Sequence, residues 1–456
     1  MQITIYKGTH EVGGTMIELK TKNTRILLDA GYPLFYQGAV IDDSIAKRPW
    51  QELLALGILP DVKGLYRWDK PEFDAVLISH AHSDHFGLLS YVHPEIPIFL
   101  TAITEKLIEM SLTFPIEDFA RRKRNRIIMY EPFEIGDFTL KPFLMDHSAY
   151  GAGAFEIRAE GKLINYTGDF RGHGRRGDYL ERFLSEAEKE PDLLLIEGTT
   201  LGRSGEKELT EKQLKAQFEE ILLTEKGIVL CQPTSQSIDR VISFYEAAED
   251  AERIFVMDIY MANLLYEIKR IEKAEGIGRN KQYSPKEGCA SYSDQGSNAI
   301  PLPGLLHPEI RVFAPIMLTK KMNQILGPQY GKRFKTSRIS RWMLRKKQNK
   351  IVMLVRPAML PDLKLMGLKN GMLVYSMWQA YRNKPHQVKL ETYLKSRGFS
   401  DRYLHTSGHA FKDDIKKVIK GLSPKEIVPI HTFEPEVFFE FSKVVTIRED
   451  GIPFIL

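Results

Sequence analysis

The sequence predicts an α/β protein in which a strand-rich domain is interrupted, late in the chain, by a domain of alternating strands and helices. Three observations indicate this. The first third alternates short apolar runs such as Met16–Leu19 and Ala75–Ile78 with turns. From Gly227 onward each buried apolar run is followed by a helical period, which is typical of βαβ units. Residues 395–456 return to short strands, so we expect both chain ends in the first domain.

Each predicted strand is an apolar run bounded by turn residues. Besides those above, the predicted strands are Met1–Lys7, Arg25–Asp29, Ile96–Leu100, Phe138–Phe143, Ile228–Cys231, Ile254–Met257, Ile351–Val355, Met372–Ser376, Ile427–Ile430 and Val444–Ile447. The helices, predicted from a helical apolar period, are Ala102–Leu112, Glu206–Leu223, Ser237–Ala248 and Ala262–Lys273. The Gly- and Ser-rich stretch 276–303 is predicted to be a long loop.

The bulk composition excludes several protein classes. A chain of 456 residues exceeds one ordinary domain, and 43% hydrophobic with 27% charged residues excludes a disordered chain. No apolar run reaches the roughly 18 residues of a membrane helix, and the N-terminus does not read as a signal peptide. The two cysteines, Cys231 and Cys289, are too few for a disulfide framework or a thiolate zinc site. We therefore expect no membrane partner and a cytoplasmic location.

Positive charge is concentrated in two segments, although the net charge is only +5. The stretch 331–350 holds nine Lys and Arg residues and no acid, and 121–126 holds five more. Such basic runs, in a chain whose remaining residues are mildly acidic, favour a polyanionic partner. A solvated helix face is the alternative for either run.

Residues 80–85, His-Ala-His-Ser-Asp-His, place four metal-type ligands directly after a predicted strand. A single histidine is more often a core or surface residue, but three with an aspartate at this spacing are typical of a zinc-type site. The ligands exceed what one tetrahedral ion uses, which favours two ions. The chain is therefore predicted to be a metal-dependent hydrolase.

Three further candidate ligands also follow predicted strands. They are His147, Asp169, which Gly168 precedes, and His431. Asp29 ends another strand and is a candidate to orient a ligand imidazole from behind. Each alone is more often a strand-terminating polar residue, so the prediction rests on their shared placement.

Together the motifs LLDAG, SHAHSDHFG, DHS, YTGDF and PIHT resemble the metallo-β-lactamase superfamily. IEGTT with Glu197, TSGHA with His409 and VPIHT with His431 are similar to motifs A, B and C of its β-CASP branch, which includes ribonuclease J and the messenger-RNA 3′-end endonuclease. The resemblance implies an αββα sandwich with an inserted β-CASP α/β domain. The implied domains are 1–205 and 395–456 for the sandwich and 206–394 for the insertion.

The resemblance also implies roles for the site residues. One ion is bound by His80, His82 and His147, the second by Asp84, His85 and His431, and Asp169 bridges them. The ions are expected to be two Zn²⁺, with Mn²⁺ or Fe open. Asp84, Glu197 and His409 are the catalytic candidates: a metal-bridging hydroxide attacks a phosphodiester, His409 protonates the leaving oxygen, and Glu197 orients His409. Glu197 as a simple strand-end acid at a helix start is the alternative.

The expected substrate is single-stranded RNA, with single-stranded DNA open. The candidate nucleic-acid-binding residues are Lys332, Arg333, Arg338, Arg341, Arg345 and Lys346, and Trp342, Tyr375, Trp378 and Tyr381 are candidates for base stacking. Three departures weaken the nuclease interpretation: no Gly-Arg element follows the insertion's first strand, Thr432 follows His431 where ribonuclease J commonly has glycine, and the region that ribonuclease J uses to oligomerise is expected to be absent after Leu456. They leave substrate choice and assembly open, including a homo-oligomer, but not the metals. The competing hypotheses are a hydrolase of a small ester, thioester or cyclic phosphate, and a non-catalytic scaffold of an RNA-processing complex.

Overall fold

The computed structural model describes residues 1–41, 43–111, 119–203, 209–275 and 310–456. The chain forms two compact units: the first comprises Met1–Gln213 with Thr406–Leu456, and the second comprises Leu214–His405. The second unit is therefore an insertion in the sequence of the first. The predicted domain boundaries, after 205 and after 394, stay a prediction.

The first unit contains two large sheets and one small hairpin. Its strands are β1 (Gln2–Lys7), β2 (Met16–Lys20), β3 (Arg25–Leu28), β4 (Phe35–Tyr36), β5 (Ala39–Val40), β6 (Ala75–Leu77), β7 (Ile98–Leu100), β8 (Arg124–Arg126), β9 (Phe133–Ile135), β10 (Phe138–Met145), β11 (Ala152–Ala159), β12 (Lys162–Tyr166), β13 (Leu193–Glu197), β20 (Ile427–Ile430) and β21 (Phe454–Ile455). One sheet has the order β21-β1-β2-β3-β6-β7-β8, the other the order β20-β13-β12-β11-β10-β9, and β4 pairs with β5 alone.

The two large sheets pack face to face because each presents an apolar face. Ile3 and Leu28 of the seven-stranded sheet share one buried cluster with Leu140, Ile157 and Leu195 of the six-stranded sheet. Strand β10 buries alternate residues along much of its length, as a strand with one core face does. This core fixes the strand ends from which the candidate site is built.

Helices cover the outer side of the six-stranded sheet. The helices of the first unit are α1 (Asp43–Ala46), α2 (Trp50–Ala55), α3 (Ser83–Phe86), α4 (Ala102–Met110), α5 (Asp178–Glu186) and α14 (Lys412–Leu422), with a 3-10 helix at Pro435–Glu440. Phe183 of α5 and Val418 of α14 lie in one buried cluster with Phe143 and Ile196 of the sheet. Helix α6 (Glu211–Thr224) crosses the boundary between the units.

The second unit is built on one six-stranded sheet whose paired strands are all parallel. Its strands are β14 (Val229–Pro233), β15 (Ile254–Asp258), β16 (Ile310–Phe313), β17 (Ile351–Leu354), β18 (Met372–Ser376) and β19 (Ser400–Tyr403), in the order β16-β15-β17-β14-β18-β19. The helices are α7 (Ile238–Asp250), α8 (Ile259–Glu275), α9 (Ile316–Ile325), α10 (Pro328–Lys332), α11 (Arg341–Lys346), α12 (Leu360–Met366) and α13 (Pro385–Ser396). Short 3-10 helices lie at Lys335–Ser337, Gln348–Lys350, Pro357–Met359 and Gln379–Asn383.

Two sequence expectations differ from the structure. The strand predicted at Val444–Ile447 is wrong: only Val445 forms a bridge, to Ile427, and the chain then leaves the sheet so that Asp450 accepts hydrogen bonds from Thr9. The helix predicted from Glu206 begins at Glu211, and residues 206–208 lie outside the described residues.

The loop predicted at 276–303, with Cys289, also lies outside the described residues. Among the helices that the structure describes, none is long and apolar enough to cross a membrane.

Candidate metal centre

The hexapeptide 80–85 turns sharply after β6. His82 stands at the start of α3, and its carbonyl oxygen accepts hydrogen bonds from the N–H groups of His85 and Phe86. This single turn places Asp84 and His85 on the inner side of the site, where both are buried. The turn and the short helix therefore make the four ligand-type side chains of residues 80–85 converge.

The six-stranded sheet supplies the distant candidates at its strand ends. His147 follows β10, Asp169 follows β12, Glu197 ends β13 and His431 follows β20. Because β12, β13 and β20 are parallel neighbours, their carboxyl ends meet at one edge of the sheet. Gly168 has φ of +54°, and a Cβ there would lie 2.8 Å from the carbonyl oxygen of Gly153, so only glycine fits before Asp169.

The structure brings all seven predicted ligands together in groups that share Asp169. Within each group the donor atoms lie within 4.8 Å of one another: His80, His82, His147 and Asp169; Asp84, His85, Asp169 and His431; and Asp169, Glu197, His409 and His431. The first two groups are the two ligand sets that the resemblance implies.

Three imidazole nitrogens converge in the first group. His82 Nδ1 lies 3.2 Å from His80 Nε2 and 2.9 Å from His147 Nε2. Ligands held about 2.0–2.1 Å from a tetrahedral zinc ion are roughly 3.3 Å apart, so this spacing suits one ion. Burial lowers the pKa of His82 to about 4 and holds the pKa of His80 and His147 well below the ordinary value. The three rings are therefore neutral near pH 7, as ligands must be.

The second group pairs imidazoles with carboxylates. His85 Nε2 lies 3.1 Å from Asp169 Oδ2, and His431 Nε2 lies 3.4 Å from Asp84 Oδ2. Burial works against ionisation of Asp84, but its hydrogen bond with His431 and the charge of His85 lower its pKa to about 2. Burial lowers the pKa of His85, yet Asp169 and Asp29 raise it well above the ordinary value.

The surroundings of the Asp169 carboxylate indicate whether these residues suit a cation. Its Oδ2 lies 3.7 Å from His80, 3.8 Å from His147 and 3.6 Å from His409, so it stands between the groups. Its Oδ1 is buried and has no hydrogen-bond partner among the residues that the structure describes. A buried carboxylate oxygen without a partner is costly unless a cation satisfies it. The donor set therefore fits divalent metal ions.

A second layer of hydrogen bonds orients the histidines by their other ring nitrogen, as is usual for metal ligands. His147 Nδ1 lies 2.5 Å from the carbonyl oxygen of Gly408, and His431 Nδ1 lies 2.7 Å from Thr199 Oγ1. His80 Nδ1 lies 3.0 Å from the hydroxyl of Ser79. The sequence analysis missed these three partners, although Ser79, Thr199 and Gly408 all belong to the quoted motifs.

Asp29, the residue expected to orient a ligand imidazole, lies behind His85. Its Oδ2 is 2.8 Å from His85 Nδ1, and it also accepts hydrogen bonds from the backbone and hydroxyl of Ser79. Tyr166 donates a 2.5 Å hydrogen bond to the same oxygen, and burial next to Asp29 raises the pKa of Tyr166 well above its ordinary value. Tyr166, which ends β12, is a further partner that the sequence analysis did not assign.

Glu197 and His409 form a dyad beside Asp169. His409 Nδ1 lies 3.2 Å from Glu197 Oε2, and Glu197 also accepts backbone hydrogen bonds from Phe170 and Thr199. Burial lowers the pKa of His409, but the Glu197 and Asp169 carboxylates raise it above the ordinary value. The His409 side chain is 19% exposed, whereas Glu197 is fully covered. His409 is therefore the member of the dyad that a substrate can reach.

A buried arginine ties the loops of the site together. The Arg171 Nε donates to Asp146 Oδ1 at 2.9 Å, and its Nη1 donates to Glu211 and to the carbonyl oxygen of Ser407. Asp146 precedes the ligand His147, and Ser407 lies two residues before His409. This guanidinium therefore links two site loops that are far apart in sequence.

The predicted nucleic-acid-binding cations lie in the second unit and divide into two kinds. Arg333 pairs with Glu267 at 2.8 Å, and Arg341 pairs with the buried Asp362 at 2.5 Å. Lys332, Arg338, Arg345 and Lys346 are exposed, although Arg338 donates to the carbonyl oxygen of Gly331. The segment is divided among α10, α11 and two 3-10 helices.

The other basic run, 121–126, and the candidate aromatic residues differ among themselves in how exposed they are. In the run 121–126, the Arg122 guanidinium is buried against backbone carbonyl oxygens, and Arg124 and Arg126 both pair with Glu105. Among the aromatics, Trp342 is exposed and Tyr375 is buried. Trp378 and Tyr381 are half-buried and pack edge to face.

Comparison with known protein families matches two segments of the chain. Residues 24–220 match the family described as the beta-lactamase superfamily domain, and residues 401–444 match the Zn-dependent metallo-hydrolase RNA specificity domain. These segments contain every residue of the candidate centre. The chain belongs to the β-CASP branch of the metallo-β-lactamase superfamily. The predicted family is thus confirmed.

Relatives of this β-CASP chain include proteins named ribonuclease J. The one from Helicobacter pylori is 24% identical over 441 residues, which is 94% of this chain and 56% of the relative. The one from Mycoplasma genitalium is 22% identical over 440 residues, covering 94% of this chain and 67% of the relative. An RNase J-like protein of Methanocaldococcus jannaschii is 23% identical over 210 residues, 43% of this chain and 42% of that protein. The chain thus spans little more than half the length of its Helicobacter pylori relative.

A solved structure shares the fold of this β-CASP chain. It is a protein of unknown function from Enterococcus faecalis, 21% identical, with a TM-score of 0.74 and coverage of 100% of this chain and 99% of the other. The predicted fold class, a metallo-β-lactamase sandwich with an inserted α/β domain, is confirmed.

Proposed function

We propose that the chain is a dinuclear zinc-dependent phosphodiesterase that hydrolyses single-stranded RNA. The observation that carries the proposal is the meeting of two metal-type donor groups and the Glu197–His409 dyad at the single carboxylate of Asp169. A site that only stores metal does not need the Glu197–His409 dyad. A hydrolase does, because the leaving oxygen must gain a proton.

The two ions have separate donor sets, with Asp169 shared. One ion would be held by His80, His82 and His147, and the other by Asp84, His85 and His431. When bound, such ions polarise phosphate oxygens and lower the pKa of an attacking water. Asp29, through His85, would keep the second donor set in place. Manganese or iron would satisfy the same nitrogen and oxygen donors.

The dyad supplies the proton. Because Nδ1 of His409 faces Glu197, the proton available to a substrate is the one on Nε2. The Glu197 carboxylate raises the pKa of His409, which favours the protonated ring. The water loses one proton to solvent and attacks as hydroxide; as its oxygen bonds to phosphorus, the bond to the leaving oxygen breaks and that oxygen takes the Nε2 proton of His409. Glu197 fixes the ring orientation throughout.

RNA is favoured over other phosphodiesters by three lines of support. Residues 401–444 match a domain described as an RNA specificity domain, and the relatives carry the name ribonuclease J. The exposed cations Arg345 and Lys346 would neutralise phosphates of a strand. Every predicted ligand is present and converged, which gives the scaffold hypothesis no support.

The test combines metal analysis with cleavage assays. Purified protein should contain close to two zinc ions per chain and cleave labelled single-stranded RNA faster than single-stranded DNA. His409→Ala should keep its metal and lose at least about a hundredfold in the cleavage rate, in line with loss of a general acid. His82→Ala should lose one ion and activity together. The control is His386→Ala, which removes an exposed histidine of the second unit.

Two results would contradict the proposal. One is metal-loaded protein that cleaves neither RNA nor DNA. The other is nuclease activity that survives His82→Ala unchanged, since it would come from a contaminant. If the protein hydrolyses a cyclic phosphate or a thioester but no RNA, the same metal centre would serve the alternative function, a small-molecule hydrolase.

A further inference from the structure

An aromatic pair, the exposed Phe433 and the half-buried Phe35, lies next to the candidate metal centre on the first unit. Phe433 lies two residues after His431, and 48% of its surface is exposed. Its ring meets that of Phe35 edge to face, with centroids 5.3 Å apart and an interplanar angle of 75°. Large exposed apolar side chains next to a polar site are a feature of ligand-binding surfaces.

Phe35 is held rigidly against the metal-binding turn. It lies on the β4–β5 hairpin, whose turn residues Gln37 and Gly38 have φ of +50° and +77°. Just before the hairpin, the N–H of Tyr32 donates to the carbonyl oxygen of Ser83 at 2.9 Å. A Cβ on Gly31 would lie only 1.8 Å from the carbonyl oxygen of Asp84, so the two segments touch backbone to backbone.

Phe433 is held from the other side. The N–H of His431 donates to the carbonyl oxygen of Gly8 at 2.6 Å, and that of Glu434 donates to Thr432 Oγ1 at 3.1 Å. The backbone next to each aromatic residue is therefore held at a segment that carries a candidate ligand, Asp84 for Phe35 and His431 for Phe433. Such anchoring pre-organises a contact and reduces the entropy lost on binding.

We propose that Phe433, supported by Phe35, is the stacking surface for a nucleobase next to the phosphate that is cleaved. This inference rests on the proposed function. A base offers a flat π face, and an edge-to-face ring pair leaves aromatic surface on which such a face can stack. Stacking of this kind accepts any base, so it positions a strand without selecting its sequence. Phe433 is thus a positioning residue for the substrate, outside the metal centre itself.

The test uses variants and substrates together. The variants are Phe433→Ala, Phe433→Trp and, as a matched control, Phe439→Ala, which removes another exposed phenylalanine (54% exposed) of the same unit. Each is assayed on a labelled single-stranded RNA and on copies in which one nucleotide at a time is abasic. Thermal unfolding and zinc content show that each variant is folded and loaded.

We expect Phe433→Ala to lower kcat/KM about tenfold, mainly through KM, within the range of single base–aromatic stacks. Phe433→Trp should keep the wild-type value, and Phe439→Ala should stay within twofold of it. For one abasic position, wild type should lose about tenfold and Phe433→Ala nothing further, because the same contact is already gone.

Two outcomes would overturn the stacking surface while leaving the proposed function intact. Phe433→Ala could cleave every RNA as fast as wild type, or its loss could add to that of every abasic position. Wild-type protein that binds zinc but cleaves no RNA is a different result, because it removes the proposed function and the stacking surface with it.

Discussion

The Nδ1 atom of His147 lies 2.5 Å from the carbonyl oxygen of Gly408, which joins a ligand histidine to the loop that carries His409. The two residues are 261 positions apart in the chain. Because the carbonyl accepts the Nδ1 proton, Nε2 of His147 keeps the lone pair that a metal needs. The orientation of a candidate ligand and the position of the proposed general acid thus depend on the same peptide group.

Gly408→Ala should disturb both functions of this loop. The added Cβ would lie 2.4 Å from Ser148 Oγ and 3.4 Å from His147 Cε1, so the loop must shift. We expect the cleavage rate to fall at least about tenfold, since displacements near 1 Å cost that much or more. The double variant Gly408→Ala/Ser148→Gly removes the clash and should regain most of the rate. Recovery is measured by single-turnover cleavage beside Ser148→Gly alone; if the double variant stays as slow as Gly408→Ala, steric displacement is not the cause.

Thr199 determines which nitrogen of His431 faces the metals. Its hydroxyl lies 3.1 Å from the carbonyl oxygen of His431 and 2.7 Å from His431 Nδ1. The Thr199 hydroxyl donates its single hydrogen to this carbonyl oxygen, so it can only accept a hydrogen bond from Nδ1–H of His431. The lone pair of the His431 ring is then on Nε2. Thr199→Val should therefore lower the affinity for one ion by about 10- to 100-fold.

Competition with a fluorescent zinc chelator measures this loss. Thr199→Ser keeps the hydroxyl and should bind zinc like wild type. Thr224→Val serves as the control, because it removes an exposed threonine of α6 whose hydroxyl donates to backbone carbonyl oxygens of the same helix. Equal zinc affinity for Thr199→Val and wild type would show that packing alone orients His431.

The candidate ligands were predictable because each follows an apolar run, and strand ends of a packed sheet hold polar side chains in place. His147, Asp169 and His431 obey this rule, and so does Asp29. Arg171 does not, and Tyr166, although it ends β12, carries no ligand-type side chain. Tyr166 reads as one more core residue of β12, and its hydroxyl finds Asp29 only once the two sheets pack. Their roles depend on contacts between distant segments, which no local pattern reports.

The basic segments show a second limit of prediction from the sequence, which concerns ion pairing. Local composition shows that 331–350 is basic, but it cannot show that Arg333 and Arg341 are compensated by Glu267 and Asp362. Those acids lie on other helices, α8 and α12, and approach only in the folded unit. Charge counting along the chain therefore overestimates how many cations are available to a partner.

Asp414 gives a stability prediction with a defined pH dependence. It caps α14 by accepting hydrogen bonds from the N–H groups of Gly172 at 2.9 Å and Phe411 at 3.3 Å. Burial raises its pKa, but the hydrogen bonds from His173 and from these N–H groups outweigh burial and hold it below the ordinary value. A carboxyl with a lowered folded pKa contributes stability above its unfolded pKa, near 3.9, and loses it as the pH falls through the folded pKa.

Asp414→Asn should therefore lower the free energy of unfolding by about 1–2 kcal/mol at pH 7. The difference from wild type should shrink as the pH falls below about 4, where Asp414 itself becomes protonated. Urea unfolding at a series of pH values measures both quantities. Asp413→Asn, at a neighbouring and more exposed position, should change neither. A difference that is the same at pH 3 and pH 7 would mean that the charge of Asp414 is irrelevant.

Exposed and paired cations of the second unit should behave differently in RNA binding. Arg345 and Lys346 are exposed, whereas Arg341 pairs with Asp362, whose carboxylate also accepts the N–H of Ile316. If the exposed pair contacts phosphates, Arg345→Gln and Lys346→Gln should each reduce the slope of log affinity against log salt by about 0.7, the value for one contact on a single strand. Arg341→Gln should instead lower the free energy of unfolding by about 1–3 kcal/mol, because it leaves a buried carboxylate unpaired.

Fluorescence anisotropy with labelled RNA from low to high salt measures the slopes, and urea unfolding measures the stability. The comparison needs the inactive His409→Ala background, so that RNA survives the titration. Slopes that do not change in Arg345→Gln and Lys346→Gln would place the strand elsewhere on the protein. A slope that falls in Arg341→Gln without loss of stability would show that Arg341 leaves Asp362 to bind RNA, because a partnered guanidinium cannot neutralise a phosphate at the same time.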